Sequence, residues 1–151
     1  SPIGLIGLIA VVIALTWVFF SDLVFGIVPD AAILIGVVGA AIYRLPFTVY
    51  GLFWPAAAAA GFFLFLVLIT RGRGMGTGDV TLAAFLGLWL GWPNILLTVW
   101  LAFILGSLIG LVLIGLKLKK FGQTIPFGPF LITGAIISVI AGPKLLSIIG
   151  L

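Results

Sequence analysis

Long apolar runs separated by short polar turns make up almost the whole of this 151-residue chain. The runs do not alternate polar and apolar residues, as the strands of a membrane barrel would. Several reach about 18 residues or more, which is long enough to cross a bilayer as an α-helix. The pattern predicts an all-α, polytopic integral membrane protein with about six transmembrane helices, as a single transmembrane domain over residues 1–151. The predicted helices are Ile3–Phe20, Ala31–Tyr43, Leu52–Thr70, Val80–Leu90, Ile95–Leu116 and a sixth that opens at residues 126–129 and runs through Ile140.

Polar residues mark where these helices are expected to begin and end. Ser21 and Asp22 follow the first apolar run and are predicted to end the first helix. The pair Pro29-Asp30 is a helix-start signal, in which Asp30 is placed to cap the free N–H groups of the second helix. The segment Gly142-Pro143-Lys144 is predicted to interrupt the sixth helix, because proline removes a helical hydrogen bond.

Composition supports the membrane assignment and predicts the orientation. The chain is 64% hydrophobic and 7% charged, which is too little charge for the surface of a soluble domain. Its net charge of +4 therefore indicates loop residues that meet lipid headgroups, and we expect membrane lipids but no nucleic acid as partners. Alternating helices place five basic residues on one side and two on the other, which predicts that the first side is cytoplasmic and that both chain ends lie opposite it. The five are Arg71, Arg73, Lys117, Lys119 and Lys120, and the two are Arg44 and Lys144.

Missing residue types narrow the possible chemistry. The sequence has no Cys, no His and no Glu, which excludes disulfides, zinc sites built from Cys and His, cysteine proteases and the Ser-His-Asp triad. We therefore expect no metal site. Acid–base chemistry falls to Asp22, Asp30 and Asp79, to lysines and tyrosines, or to water.

The glycine-rich stretch Gly74-Met75-Gly76-Thr77-Gly78-Asp79-Val80 lies between two apolar runs and contains one of the three acidic residues. Two interpretations are open. The glycines could form a flexible loop whose Asp79 caps the fourth helix, since Asp is a preferred N-cap residue. Alternatively, Asp79 could belong to an active site, with Gly74, Gly76 and Gly78 forming a loop that lets the backbone approach a substrate closely. In that case we expect the loop from Arg71 to Gly78 to be mobile without substrate.

Asp22 favours the active-site interpretation. At the C-terminal end of a helix its charge opposes the helix macrodipole, so it needs another reason to be there. The helix order places it at the same membrane face as Asp79. Two carboxylates near bilayer depth suit aspartyl proteolysis, because a close pair shares one proton. The charged member takes a proton from water, and the neutral member polarises the peptide carbonyl.

Three motifs in order resemble those of the prepilin peptidases, also called type IV leader peptidases, which are intramembrane aspartyl proteases of the Gly-x-Gly-Asp type. The motifs are Asp22 with Val28-Pro29-Asp30, then Gly76-Thr77-Gly78-Asp79-Val80, then Pro126-Phe127-Gly128-Pro129-Phe130. The resemblance implies that Asp22 and Asp79 are the catalytic pair and that Asp30 is a supporting polar residue outside it. It also implies removal of the basic leader peptide from type IV prepilins or pseudopilins at the cytoplasmic face of the cytoplasmic (inner) membrane.

The chain departs from the larger bacterial members of that family. Those members carry an amino-terminal cytoplasmic domain with a four-cysteine zinc site, and this chain has no Cys, so we expect no soluble zinc domain in it. They also methylate the new amino terminus with S-adenosylmethionine. The resemblance therefore implies no cofactor for proteolysis, and S-adenosylmethionine only if methyl transfer is retained.

Two other functions are compatible with the residues. A small membrane transporter or channel subunit could use Asp22 and Asp79 as proton or cation sites. A purely structural membrane subunit is the third possibility, and it leaves the position of Asp22 unexplained.

Overall fold

The computed structural model describes residues 2–44, 49–118, 125–148 and 150. These residues form six α-helices and no strand, which confirms the predicted all-α class. The helices are α1 (Pro2–Phe25), α2 (Asp30–Arg44), α3 (Val49–Ile69), α4 (Thr77–Leu90), α5 (Asn94–Gly115) and α6 (Gly128–Ile148).

Helix α1 does not end at Ser21 and Asp22, so that prediction is wrong. It continues to Phe25, and Asp22 lies inside its last turns with only 5% of its surface exposed. The helix stops at Gly26, whose φ of 64° is left-handed and whose N–H donates to the Asp22 carbonyl oxygen at 2.9 Å. A left-handed glycine after the last turn is a common helix stop. The apolar run thus extends past the polar pair, because Asp22 is accommodated inside the protein.

One helix start differs from the prediction, and another agrees with its helix-start signal but lacks the predicted cap. Helix α4 begins at Thr77 rather than Val80, with Gly76 as its N-cap, so Asp79 lies in the first turn. Helix α2 begins at Asp30 itself, and no residue that the structure describes donates a hydrogen bond to the Asp30 carboxylate. The predicted side-chain cap at Asp30 is therefore not seen.

Helix α6 passes through Gly142, Pro143 and Lys144 and ends at Ile148, so the predicted interruption is wrong. Tertiary packing explains the continuation. Gly142 is buried against α5, where a Cβ at this position would lie 3.1 Å from Oδ1 of Asn94, and Leu146 one turn later is also buried. Burial on both sides of the proline offsets its missing hydrogen bond.

The helices pack as three hairpins, α1 with α2, α3 with α4 and α5 with α6, and in each hairpin the two backbones come close at a glycine. A Cβ on Gly7 of α1 would lie 2.6 Å from the carbonyl oxygen of Gly39 in α2. Gly87 of α4 would place a Cβ 2.6 Å from the carbonyl oxygen of Pro55 in α3, and Gly134 of α6 would place one 2.7 Å from a carbonyl oxygen of α5. Small residues let membrane helices approach closely, since van der Waals packing rather than water exclusion holds them together.

Helix α4 is the centre of the bundle. Its residues from 85 to 90 are all buried, and the ring of Phe85 packs onto Gly36 of α2. The outer surface is apolar instead of charged, as shown by exposed side chains such as Leu5, Phe20 and Trp100. So large an apolar surface is suited to lipid rather than water.

Three of the described helices, α1, α5 and α6, are long and apolar enough to cross a membrane. The described segment Phe53–Ile69 of α3 and the whole of α4 are shorter apolar helices. The opposite ends of the bundle carry different residues. Asp22 and Asp79 lie at one end, and Arg44 lies at the other, where its guanidinium donates to the Trp89 carbonyl oxygen at 3.4 Å. Lys119 and Lys120 of the predicted cytoplasmic set lie outside the described residues.

Candidate active site

Asp22 enters the site from the last turns of α1 and is held by the start of α6. The backbone N–H of Gly128 donates to its Oδ2 atom at 2.9 Å, in a buried contact between segments far apart in the sequence. A side chain on residue 128 would collide with the Asp22 carboxylate and push it from this position. As the first residue of α6, Gly128 belongs to the turn whose N–H groups have no helical acceptor. The carboxylate therefore satisfies a donor that the fold leaves free.

Asp79 enters from the first turn of α4 and is 7% exposed. Its Oδ2 atom accepts the N–H of Gly76 at 3.3 Å, and its own N–H donates to the Gly76 carbonyl oxygen at 3.2 Å. This contact is half of a capping box, in which an acidic side chain reaches back to the N-cap backbone. The capping role considered for Asp79 is thus present in another form, since the residue caps from the third helical position while also facing the site.

Asp22 and Asp79 line one cavity of about 460 Å³. They are close enough for the charge of Asp22 to act on Asp79. The helix order had predicted that both lie at the same end of the protein, and the structure brings them to the same cavity. The cavity is walled by the turn after α1, the glycine-rich loop and the segment that precedes α6. Its lining residues are Asp22, Gly26, Ile27, Val28, Asp30, Gly74, Met75, Gly76, Thr77, Gly78, Asp79, Thr81, Ile125, Pro126 and Phe127.

The three glycines of the predicted substrate-approach loop all line the cavity, but their surroundings differ. A Cβ on Gly78 would lie 2.9 Å from the side chain of Val28, so packing against the turn after α1 requires glycine there. Gly74 and Gly76 have ordinary space, with nearest atoms at 3.5 Å and 3.9 Å from a built Cβ. Packing within the described chain therefore explains the glycine at position 78 but not those at 74 and 76.

The beginning of the loop is a regular helix stop. Arg71 adopts a left-handed φ of 51°, and the Gly72 N–H donates to the Val67 carbonyl oxygen at 2.9 Å. This pattern is the Schellman motif that often ends a helix. Further along, Met75 is 8% exposed and belongs to the hydrophobic core. The loop thus has one apolar anchor between two glycines that line the cavity.

An aromatic cluster supports the segment before α6. The ring of Phe127 packs against Phe103 of α5 and Phe63 of α3, with centroid distances of 5.0 Å and 5.9 Å. Phe63 is completely buried. Because Phe127 directly precedes Gly128, this packing holds the N–H that reaches Asp22. The sequence predicted that the Pro-Phe-Gly-Pro motif opens the sixth helix but did not place Gly128 at the site, and the two prolines around that glycine were the available signal.

The third acidic residue, Asp30, lies on the same cavity but in a different environment. It is exposed, at the first position of α2, whereas Asp22 and Asp79 are buried. Together these residues account for every acidic side chain in the sequence. The cavity therefore contains two enclosed carboxylates and one at its open edge.

Comparison with known proteins shows the family of the chain. The model of the type IV leader peptidase family matches residues 9–111 of the chain, a stretch that includes Asp22, Asp30 and Asp79. This chain belongs to the type IV leader peptidase family. The motifs at Asp22 and at Gly76-Thr77-Gly78-Asp79-Val80 lie within this match, and the motif at residues 126–130 lies beyond its end.

Curated relatives of the chain carry the name prepilin leader peptidase/N-methyltransferase. The protein from Pseudomonas putida is 38% identical over 68 residues, and that from Pseudomonas aeruginosa is 35% identical over 68 residues. The one from Burkholderia pseudomallei is 36% identical over 73 residues. These alignments cover 45% to 48% of this chain and 23% to 24% of each relative. The chain thus matches about a quarter of the length of these relatives, and no solved structure matches it.

Proposed function

We propose that this chain is an intramembrane aspartyl endopeptidase with Asp22 and Asp79 as its catalytic pair. The observation that carries the proposal is their placement: two buried carboxylates from separate helices of a leader peptidase family member line one cavity. Burying a carboxylate costs free energy unless hydrogen bonds or an opposite charge compensate it, so two buried carboxylates on one cavity indicate a function. Each carboxylate has a single backbone N–H donor among the described contacts, which leaves further acceptor capacity for water and substrate.

The proposed reaction uses one proton shared by the pair. A water molecule in the cavity attacks the carbonyl carbon of the scissile peptide bond, and the ionised carboxylate takes the proton that the water loses. The neutral carboxylic acid donates its proton to the carbonyl oxygen, which gives a gem-diol. When the gem-diol collapses, the carbon–nitrogen bond breaks, the leaving nitrogen receives a proton from the carboxylic acid, and the ionised carboxylate takes the proton of one gem-diol hydroxyl, whose oxygen becomes the carbonyl oxygen of the product. The pair then again holds one proton, so the cycle is balanced.

We propose a prepilin or pseudopilin leader as the substrate, cut at the cytoplasmic face of the inner membrane. The names of the curated relatives support the substrate class. Arg71 and Arg73 support the orientation, because both are exposed just ahead of the cavity loop, at the end of the bundle where basic residues are predicted to be cytoplasmic. An extended peptide would lie along the open sides of Gly74 and Gly76 to reach the carboxylates.

The relatives' second named activity would require a methyl donor. The described lining of the carboxylate cavity does not fit the amino-acid end of S-adenosylmethionine, because its charged residues are all acidic and no described Lys or Arg is there to bind the donor's carboxylate. We therefore derive no methyl-transfer step at this cavity.

The test is incubation of the purified protein in detergent with a prepilin that bears a basic leader, followed by mass spectrometry of the products. We expect two fragments that together add one water to the substrate mass, with the cut at the leader junction. An intact substrate after incubation with folded protein would contradict the proposal. Proton or cation flux in liposomes, in place of cleavage, would support the transporter alternative.

A further inference from the structure

Among the residues that the structure describes, the charged ones that line the carboxylate cavity are all acidic. Asp22, Asp30 and Asp79 lie on it, and no described Lys or Arg does. The other described lining residues are glycine, threonine and apolar residues. A cavity lined by one sign of charge attracts ligands of the other sign.

Asp30 differs from the other two carboxylates in what holds it. Backbone N–H groups of Gly128 and Gly76 donate to the carboxylates of Asp22 and Asp79, whereas the Asp30 carboxylate has no hydrogen bond or ion pair within the described part of the chain. It is exposed at the edge of the cavity, and the turn that carries it also carries Val28, which packs on Gly78 of the glycine-rich loop. Its carboxylate is therefore solvated, beside the loop and available to a bound chain.

We propose that Asp30 is a specificity-determining residue that binds a lysine or arginine side chain of the peptide lying between Asp22 and Asp79. The inference rests on the proposed function, since it needs a peptide in the cavity. Its occupant is a cation because the described charged lining is acidic throughout, and a peptide supplies a cationic donor through Lys or Arg. Asp30 lies outside the buried pair, so it contributes to substrate binding and leaves the bond-breaking step to the other two residues.

Removing the Asp30 charge should have a small effect on substrate binding, because this side chain is exposed to solvent. Solvent-exposed ion pairs contribute little and are weakened by salt. Removing the Asp30 charge should therefore raise the KM for a cationic substrate by about two- to fivefold at low salt and leave kcat unchanged. Uniform loss of ground-state and transition-state binding has this kinetic signature.

The experiment compares Asp30→Asn with the wild-type protein on two substrates. The first has the basic leader, and the second has glutamine in place of each basic residue of that leader. We expect a higher KM for the basic substrate, no change for the glutamine substrate, and a smaller difference in high salt. Asp30→Glu keeps the charge and should restore the preference. Equal effects of Asp30→Asn on both substrates, or an effect confined to kcat, would overturn the inference.

A binding measurement separates this inference from the proposed function. In an Asp79→Asn background, which removes cleavage, fluorescence anisotropy gives the Kd of labelled basic and glutamine leader peptides with and without Asp30→Asn. If the wild-type protein cleaves nothing, the proposed function fails. A Kd difference that depends on Asp30 still supports the inference in that case, and its absence refutes it.

Discussion

The backbone N–H of Gly128 donates a 2.9 Å hydrogen bond to the Oδ2 atom of Asp22, across a separation of 106 positions in the sequence. This contact joins the first helix of the chain to the last one at the carboxylate cavity. It gives the Pro-Phe-Gly-Pro motif a physical role, because a side chain on residue 128 would displace the Asp22 carboxylate. Orientation of Asp22 therefore depends on the segment that precedes α6.

Gly128→Ala should lower kcat by about tenfold to a hundredfold, since a small displacement of a reacting group is costly. The KM should change less, because residue 128 is not among the residues that line the cavity. Steady-state cleavage of prepilin measures both constants. The matched control is Gly61→Ala, where a Cβ on α3 meets nothing within 4 Å and activity should be unchanged. Wild-type kcat for Gly128→Ala would show that the contact does not orient Asp22.

The glycine contact between α3 and α4 should limit stability. In Gly87→Val the new side chain would meet the backbone of Pro55 and Ala56, with the first Cβ contact at 2.6 Å. Overpacking of this kind costs about 1–3 kcal/mol, so the midpoint of thermal unfolding in detergent should fall. Gly115→Val at the exposed end of α5 is the control and should unfold close to the wild-type temperature. A wild-type midpoint for Gly87→Val would mean that these helices are not in close contact.

The loop at the cavity should be mobile in the absence of substrate. We expect fast hydrogen exchange in residues 72–76, because Gly72, Gly74 and Gly76 are exposed and Met75 is their one buried neighbour. Adding a non-cleavable substrate should slow the exchange of this segment. Exchange as slow as in the interior of α4, measured without substrate, would contradict the predicted mobility.

Much of the fold could be predicted because apolar runs are a local signal. The all-α class and the presence of Asp22 and Asp79 at one end follow from the lengths and order of those runs. The helix ends could not be predicted as well, since they depend on contacts between distant residues. Helix α1 continues through Asp22 because the Gly128 N–H donates to the Asp22 carboxylate. Helix α6 continues through Pro143 because Gly142 and Leu146 are buried. The same reasoning explains why Gly128 was quoted in a motif but was not assigned to the site.

The orientation in the membrane remains a prediction that labelling can decide. The chain has no Cys, so a single introduced cysteine gives an unambiguous signal. Gly74→Cys should react with a membrane-impermeant thiol reagent from the cytoplasmic side. The reason is that Arg71 and Arg73, close to position 74, belong to the basic residues that are expected on the cytoplasmic side. Lys144→Cys near the other end should react from the opposite side. Labelling of position 74 only from the non-cytoplasmic side would reverse the proposed topology.

Isosteric substitution tests whether Asp22 and Asp79 are the catalytic pair, because it removes the titratable proton and keeps a side chain of nearly the same shape. Asn has nearly the volume of Asp and can still accept the N–H of Gly128 or Gly76, so Asp22→Asn and Asp79→Asn should fold and insert normally. Neither variant can take up and release the catalytic proton at the changed position. The double variant should be no worse than either single one, because the two residues act as a unit. Asp30→Asn is the matched control and should retain substantial activity.

The most direct measurement is the rate of prepilin cleavage by purified, folded Asp22→Asn and Asp79→Asn proteins beside the wild type, read by mass spectrometry. We predict that each substitution abolishes cleavage while the thermal unfolding midpoint stays close to that of the wild type. Cleavage near the wild-type rate by either variant would contradict the assignment of Asp22 and Asp79 as the catalytic pair.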